Sequence, residues 1–319
     1  MKVKISVLAV LALVIFAFCS PAGQDVTFVK KEHQIDVMFD GQHFTTYLFG
    51  PDLAKPILYP VRSPSGIVMN RGFPLQTIEG ESRDHPHHIG FWFACDEVNG
   101  NGFWNNTDPP PQIRHVQVES LAEGTGKGVL STIMHWIDKN GESILEENRS
   151  TIFYPGVDMH TIDFVITLTA KDTTVVIHDT KEGLFAIRVA DWLKEEGGSG
   201  RYLNSEGAET EEKVWGKRAH WVRLEGEKDG KRLGIAILNH PRSNNYPTYW
   251  MARGYGLFSA NPIGQYVYQK YHGVEDPEPY NLTLHPGESA RFLFRMLIYE
   301  GQRTKQQFDE AFDEYSKDK

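Results

Sequence analysis

Short stretches of alternating apolar and polar residues recur along most of the chain. The stretch Thr161-Ile162-Asp163-Phe164-Val165-Ile166-Thr167-Leu168 alternates over part of its length, the period-2 signature of a strand with one buried face. Similar runs at 26–30, 34–39, 58–62, 67–70, 114–121, 129–138, 142–154, 173–178, 184–189, 221–224, 233–238 and 291–299 predict further strands. The continuous apolar run 89–95 reads as a buried strand. Asp40-Gly41 and Asp229-Gly230 supply the positive φ angles that tight hairpins need, and Asn140-Gly141 marks another turn. One helix is predicted, over 304–315, where Phe308, Phe312 and Tyr315 share a face. The segments 96–111, 195–215 and 241–279 read as loops, and the acidic run 206–212 as a solvated surface. With no internal repeat and no break in composition, residues 23–319 are expected to form one domain. The fold class is all-β: a large antiparallel β-sandwich with a short C-terminal helix.

Composition supports a folded domain, since 40% hydrophobic and 12% aromatic residues provide for a sizeable core. The net charge of −9, with no run of lysine or arginine, argues against nucleic acid as a partner. Residues 1–22 read as an export signal: a basic Met1-Lys2-Val3-Lys4 start is followed by an apolar run at 5–18. Two processing routes are open. Cys19 resembles a lipobox cysteine, which would give a lipid-anchored periplasmic or outer-membrane protein. Cleavage after Ser20-Pro21-Ala22 would release a soluble exported one. Cys95 is then the one remaining cysteine, which excludes an intrachain disulfide framework, and it reads as a small buried hydrophobe.

Three clusters are candidates for chemistry. In Asp84-His85-Pro86-His87-His88, imidazoles that titrate near neutrality stand beside a carboxylate, and Pro86 keeps the segment out of a sheet interior. The cluster suits acid/base chemistry on a sugar, a divalent metal centre using His85 and His87 with His240, or structural histidines under a loop. The spacing matches no established zinc signature. Asp179-Thr180-Lys181-Glu182-Gly183 places Lys181 and Glu182 between two apolar strands. Arg188, in the second of these, needs a carboxylate if buried, with Glu182 or Asp191 as candidates. Asn239-His240-Pro241 and the aromatic stretch 246–256, including Tyr249 and Arg253, suit stacking on sugar rings or the plugging of a sandwich end. No dinucleotide fingerprint, P-loop or nucleophile elbow is present.

These motifs, together with Pro60-Val61-Arg62-Ser63-Pro64-Ser65-Gly66, Asp96-Glu97-Val98-Asn99-Gly100 with Phe103-Trp104, and Ala252-Arg253-Gly254-Tyr255-Gly256, resemble the bacterial PmoA-like family over nearly the whole chain after the signal. That family carries a methane-oxygenase label without a characterised function. The label conflicts with a chain that has no long apolar span after residue 18. The resemblance implies an exported, carbohydrate-linked protein with a fold similar to the galactose-mutarotase-like supersandwich.

The resulting expectation is a carbohydrate-active enzyme of hydrolase, lyase or epimerase type, acting on a small-molecule or oligosaccharide substrate. His85, His87, His88, Lys181, Glu182 and His240 are the catalytic candidates. Arg62, Asp84, Asn99, Trp104, Arg188, Tyr249 and Arg253 are the substrate-binding candidates. A non-catalytic carbohydrate-binding lipoprotein and a metal-dependent enzyme are the alternatives.

Overall fold

A computed structural model describes residues 23–317; the expected signal segment and Cys19 lie outside the described residues. The nine-stranded sheet runs in spatial order Tyr249–Ala252, Leu257–Asn261, Phe185–Arg188, Phe91–Phe93, Ile57–Val61, Gln42–Leu48, Gln34–Phe39, Asp25–Lys30 and Gly124–Thr125. The eight-stranded sheet runs Arg201–Asn204, Trp221–Lys228, Lys231–Asn239, Ser289–Glu300, Met159–Ala170, Ser143–Tyr154, Gly128–Ile137 and Gln112–Ala122. A ribbon of Val175–Ile177 with Leu282–Leu284 completes the set. The strands of both sheets pair antiparallel, as the alternating patterns predict.

The core lies between the two large sheets. Phe91 packs on Phe164, Phe93 on Trp136 and Phe292, and Phe185 on Phe294, each pair joining one sheet to the other. Side chains alternate along a strand, so Trp92, Ala186 and Arg188 face away from this core. One sheet face therefore holds the domain together while the other is left for a site.

The hairpins form where Asp-Gly predicted them, with Asp40 and Gly41 at φ 47° and 75° and Asp229 and Gly230 at 53° and 74°. The apolar run 89–95 yields only the strand Phe91–Phe93. Gly90, at φ 60°, turns the chain into it, and a Cβ there would stand 2.8 Å from the Leu58 carbonyl oxygen. The run 67–70 is held by isolated bridges, Arg62 to Val68 and Asn70 to Val189, and forms no strand.

Two segments read as loops contain regular structure. The first holds Arg201–Asn204 and the helix Thr210–Val214; the second holds Tyr249–Ala252, Leu257–Asn261 and the helix Gln265–Tyr271. The predicted C-terminal helix spans Lys305–Tyr315, opened by a capping box between Thr304 and Gln307. It lays Phe308 and Tyr315 on the outer face of the eight-stranded sheet, against Trp221, Leu297 and Tyr299. Among the described residues no helix is long and apolar enough to cross a membrane.

Candidate functional site

The outward face of the nine-stranded sheet around Trp92 and Arg188 carries the histidine turn. Arg71 lies beside Arg188 because its backbone N–H donates to the Arg188 carbonyl at 2.9 Å. Both guanidinium side chains are almost fully buried, at 0% and 1% exposure. Asp84 Oδ1 accepts from Arg71 Nη1 and from Arg188 Nη2, each at 2.8 Å. Arg71 also donates to the carbonyls of His85 and His88, at 3.0 and 3.2 Å, fixing the backbone of the turn. Ser82, bound through its N–H and hydroxyl to the Asp191 carboxylate, anchors the approach.

The second Asp84 oxygen accepts from His85 Nδ1. A carboxylate only accepts, so the proton in this bond sits on His85 Nδ1, and Nε2 is left without a hydrogen-bond partner among the described residues. The His85 side chain is 43% exposed and its backbone sits at φ 45°, a left-handed conformation that a side chain of this size rarely adopts. Its ring lies parallel to those of His88 and Tyr255, at centroid distances of 4.8 and 5.2 Å. Burial pushes the Asp84 carboxyl up, but the His85 bond and the Arg188 and Arg71 charges outweigh it and hold the group at about 2.

His88 is buried between Trp92, at 5.5 Å, and Trp104, at 5.8 Å. Burial, reinforced by His87 and Arg188, pushes its imidazole far below the ordinary histidine range, so it is neutral. Its Nδ1 faces Arg188 Nη1 at 3.4 Å; a guanidinium only donates, so Nδ1 accepts and the proton sits on Nε2. His87 is half-buried, and burial together with the Lys55 charge pushes it down to about 4. The three imidazoles thus play different parts: an exposed, carboxylate-oriented ring in His85, a buried neutral donor in His88, and a neutral ring in His87 that faces the other way.

Tyr255 forms the opposite wall. Arg188 stacks on its ring at 4.7 Å and Arg253 at 5.5 Å, and burial pushes its phenol up to about 12. Arg253 pairs with Glu211 at 3.0 Å, and the same carboxylate accepts from Gly254 N at 2.7 Å. Glu182, paired with Lys181 at 2.8 Å, lies within electrostatic reach of Tyr255. Ser259 and Asn261 bind the carbonyls of Gly183, Thr180 and Lys181 and so fix the loop carrying that pair.

Several expected members stand elsewhere. His240 belongs to the eight-stranded sheet, its ring against Tyr315 of the C-terminal helix, so the metal set of His85, His87 and His240 does not assemble. Arg62 binds His43 and the Gly66 carbonyl, on the side of Ile57–Val61 away from Phe91–Phe93. Asn99 clamps its turn to Thr174 and Val176. Tyr249 is buried under Arg218 and Tyr268, with no face open to a sugar. Trp104 is fully buried and supports His88 instead of offering a surface. Arg188 takes Asp84 as its partner, whereas Asp191 binds Lys194 and Ser82. Glu211 falls in the acidic run read as solvated surface, yet it positions Arg253. Arg71 has no local sequence signal beyond a flanking glycine, whereas Tyr255 lies in the aromatic stretch 246–256 and is the ring of that stretch that reaches the site, as Tyr249 does not.

A family model matches residues 34–313, from the second strand of the nine-stranded sheet to the C-terminal helix, so it takes in the whole site. The chain belongs to DUF6807, a family of unknown function. No curated protein matches this DUF6807 chain. Similar solved structures include an α-galactosidase from Lactobacillus brevis, at 8% identity and TM-score 0.43, covering 90% of this chain and 41% of that one. A GH36 α-galactosidase from Geobacillus stearothermophilus shows 10% identity and TM-score 0.36, with 87% and 40% covered. A galactose mutarotase related enzyme from Lactobacillus acidophilus shows 9% identity and TM-score 0.32, with 88% and 98% covered. The DUF6807 chain spans about 40% of the length of the α-galactosidases. At these scores the likenesses carry no argument about chemistry.

Among the described residues, no group of three or more His, Cys, Asp or Glu side chains is arranged to hold a metal ion. What the site offers is the unpartnered Nε2 of His85, a phenol at Tyr255 that stays protonated, and a cation at Arg253. Beneath them, the indole N–H groups of Trp92 and Trp104 are buried without an acceptor among the described residues. Of these groups, the Tyr255 hydroxyl and the Arg253 guanidinium are the donors open to an oxygen-bearing ligand.

Proposed function

We propose that the chain is an exported carbohydrate-active enzyme in which His85 exchanges a proton with a sugar. The observation that carries this reading is the His85–Asp84 pair, whose carboxylate is locked by two buried arginines. Asp84 fixes the ring orientation and stabilises the imidazolium formed when Nε2 takes a proton, the relation a general base needs. The proton comes from a sugar hydroxyl or from a carbon beside a carbonyl or carboxyl group. Arg253 stabilises the oxygen on which negative charge grows, and the Tyr255 phenol donates to a neighbouring oxygen. Glu182 is the opposing acid/base group on the rim. Hydrolase, lyase and epimerase chemistry all use this inventory. The basic start and apolar run of residues 1–18 support export.

The test is incubation of the purified protein with a panel of glycans, followed by chromatography and mass spectrometry of the products. Product formation by the wild type and its loss in His85→Ala are expected. Binding without any product over long incubation would replace the enzyme with a carbohydrate-binding protein.

A further inference from the structure

His87 turns away from the His85 site and lines a separate cavity of about 170 Å³. Its floor and walls come from four segments: Asp52 to Lys55, Pro74, Pro86 and His87 with Ile89, and Asn106 with Thr107. Their composition is divided. Leu53, Ala54, Pro74, Pro86 and Ile89 give apolar faces, while Asp52, Thr107 and His87 give polar edges. One water needs only ~10–15 Å³ of such space, so the cavity has room for a small ring.

The polar groups also differ in whether they are already engaged. Lys55 Nζ donates to the carbonyls of Phe103 and Trp104 and to Asn106 Oδ1, at 3.0, 2.8 and 2.8 Å. The Asn106 amide donates to the Pro111 carbonyl at 2.7 Å. Lys55 and Asn106 are therefore committed to holding the 103–111 loop as a fixed wall. By contrast, the Asp52 carboxylate, the Thr107 hydroxyl and both ring nitrogens of His87 have no hydrogen-bond partner among the described residues. His87 is neutral, with one nitrogen donating and the other accepting, which is the pairing a hydroxyl group satisfies from both sides. It also stands at the seam, its ring 5.7 Å from that of His85.

We infer that this cavity is a second saccharide subsite. It would take the ring next to the one that reacts over His85 and Tyr255, with His87 bound to hydroxyl groups at the junction. The apolar walls suit the C–H faces of a pyranose, and the free polar edges suit its hydroxylated rim. The preferred ligand is then at least a disaccharide. This inference rests on the carbohydrate reading of the His85 site.

Calorimetric titration separates the two ideas. The probes are glucose, galactose, xylose, rhamnose and galacturonate, and the di- and tetrasaccharides built from each. Thr107→Trp fills the cavity from its exposed rim, and Asp52→Leu removes a polar edge without touching the core; far-UV circular dichroism confirms that each is folded. For the wild type, tighter binding of a disaccharide than of its monosaccharide is expected. Thr107→Trp should weaken disaccharide binding at least tenfold and leave monosaccharide binding unchanged, with a smaller loss in Asp52→Leu. Unchanged disaccharide affinity in both variants, or equal losses for mono- and disaccharide, would overturn the subsite and leave the carbohydrate reading standing. Failure of every saccharide to bind the wild type would overturn both.

Discussion

Asp84 and Arg188 are 104 residues apart in sequence and meet at 2.8 Å on the outer face of the nine-stranded sheet. The same Asp84 oxygen takes Arg71, so one carboxylate offsets two buried guanidinium groups. Removing the shared anion and removing one of the two cations should therefore differ in cost. Asp84→Asn leaves two buried positive charges without a counter-charge, and a loss of about 3 kcal/mol is expected, the low end for a broken buried pair because Asp84 is partly exposed. Arg188→Met leaves Asp84 paired with Arg71 and should cost less. Urea denaturation of both variants measures the order, and an equal or reversed order would show that the arginines are neutralised in another way.

His85 and His88 are neighbours with opposite dependencies. His85→Gly relieves a left-handed backbone, worth roughly 1 kcal/mol, and gives up an exposed hydrogen bond of similar size. Its melting temperature should move little while turnover falls by about 10²–10⁴, the usual contribution of a general base. His88→Ala opens a cavity beside Trp92 and Trp104 and leaves Arg188 Nη1 short of a partner, so the larger effect should be on stability. Scanning fluorimetry beside a product assay distinguishes them; equal melting shifts would mean that the two rings are equally structural.

Acid should weaken the fold in two stages. Unfolded histidines take up protons below about 6.5, whereas folded His87, His115 and His160 resist protonation down to about 4, and His88 further still. In this range the unfolded state binds more protons. Stability is thus intact above 6.5 and is lost as pH falls from there towards 4. Asp84, lowered from 3.8 to about 2, contributes stability that is present above 3.8 and lost only below it. A melting temperature that drops between pH 6.5 and 4, and then falls again below 4, is expected. A flat profile from 6.5 to 4 would mean that these imidazoles are not buried neutral.

The strand pattern was legible because half-buried strands write their burial into alternate residues. Even the separation of core from site at Phe91-Trp92-Phe93 follows from that period. The Asp84–His88 cluster was legible because its members are adjacent in sequence. Arg188 could be read as needing a partner, but which carboxylate supplies it depends on how 70–71 docks beside 188–189. Arg71 gains its role from that docking alone. An aromatic ring in a core looks the same in sequence as one on a surface, so Trp104 and Tyr249 read as ligand platforms although both are buried. His240 ends a strand next to a proline much as the histidine cluster begins one, yet its strand belongs to the other sheet.

Glu211 tests whether Arg253 is a ligand-holding group. Its carboxylate binds Arg253 at 3.0 Å and accepts from Gly254 N at 2.7 Å, and its own N–H is held by Glu195 at 2.8 Å. Glu211→Gln keeps an oxygen for Gly254 and removes the charge that aims the guanidinium. Arg253 is then free to turn towards solvent while the loop keeps its course. Saccharide binding should weaken about tenfold, equal to ~1.4 kcal/mol, with little change in melting temperature. Arg253→Ala should weaken it by at least as much, and the double variant should add almost nothing to Arg253→Ala, because Glu211 acts through Arg253. Additive losses in the double variant, measured by titration with the same saccharide, would mean that Glu211 contacts the ligand itself.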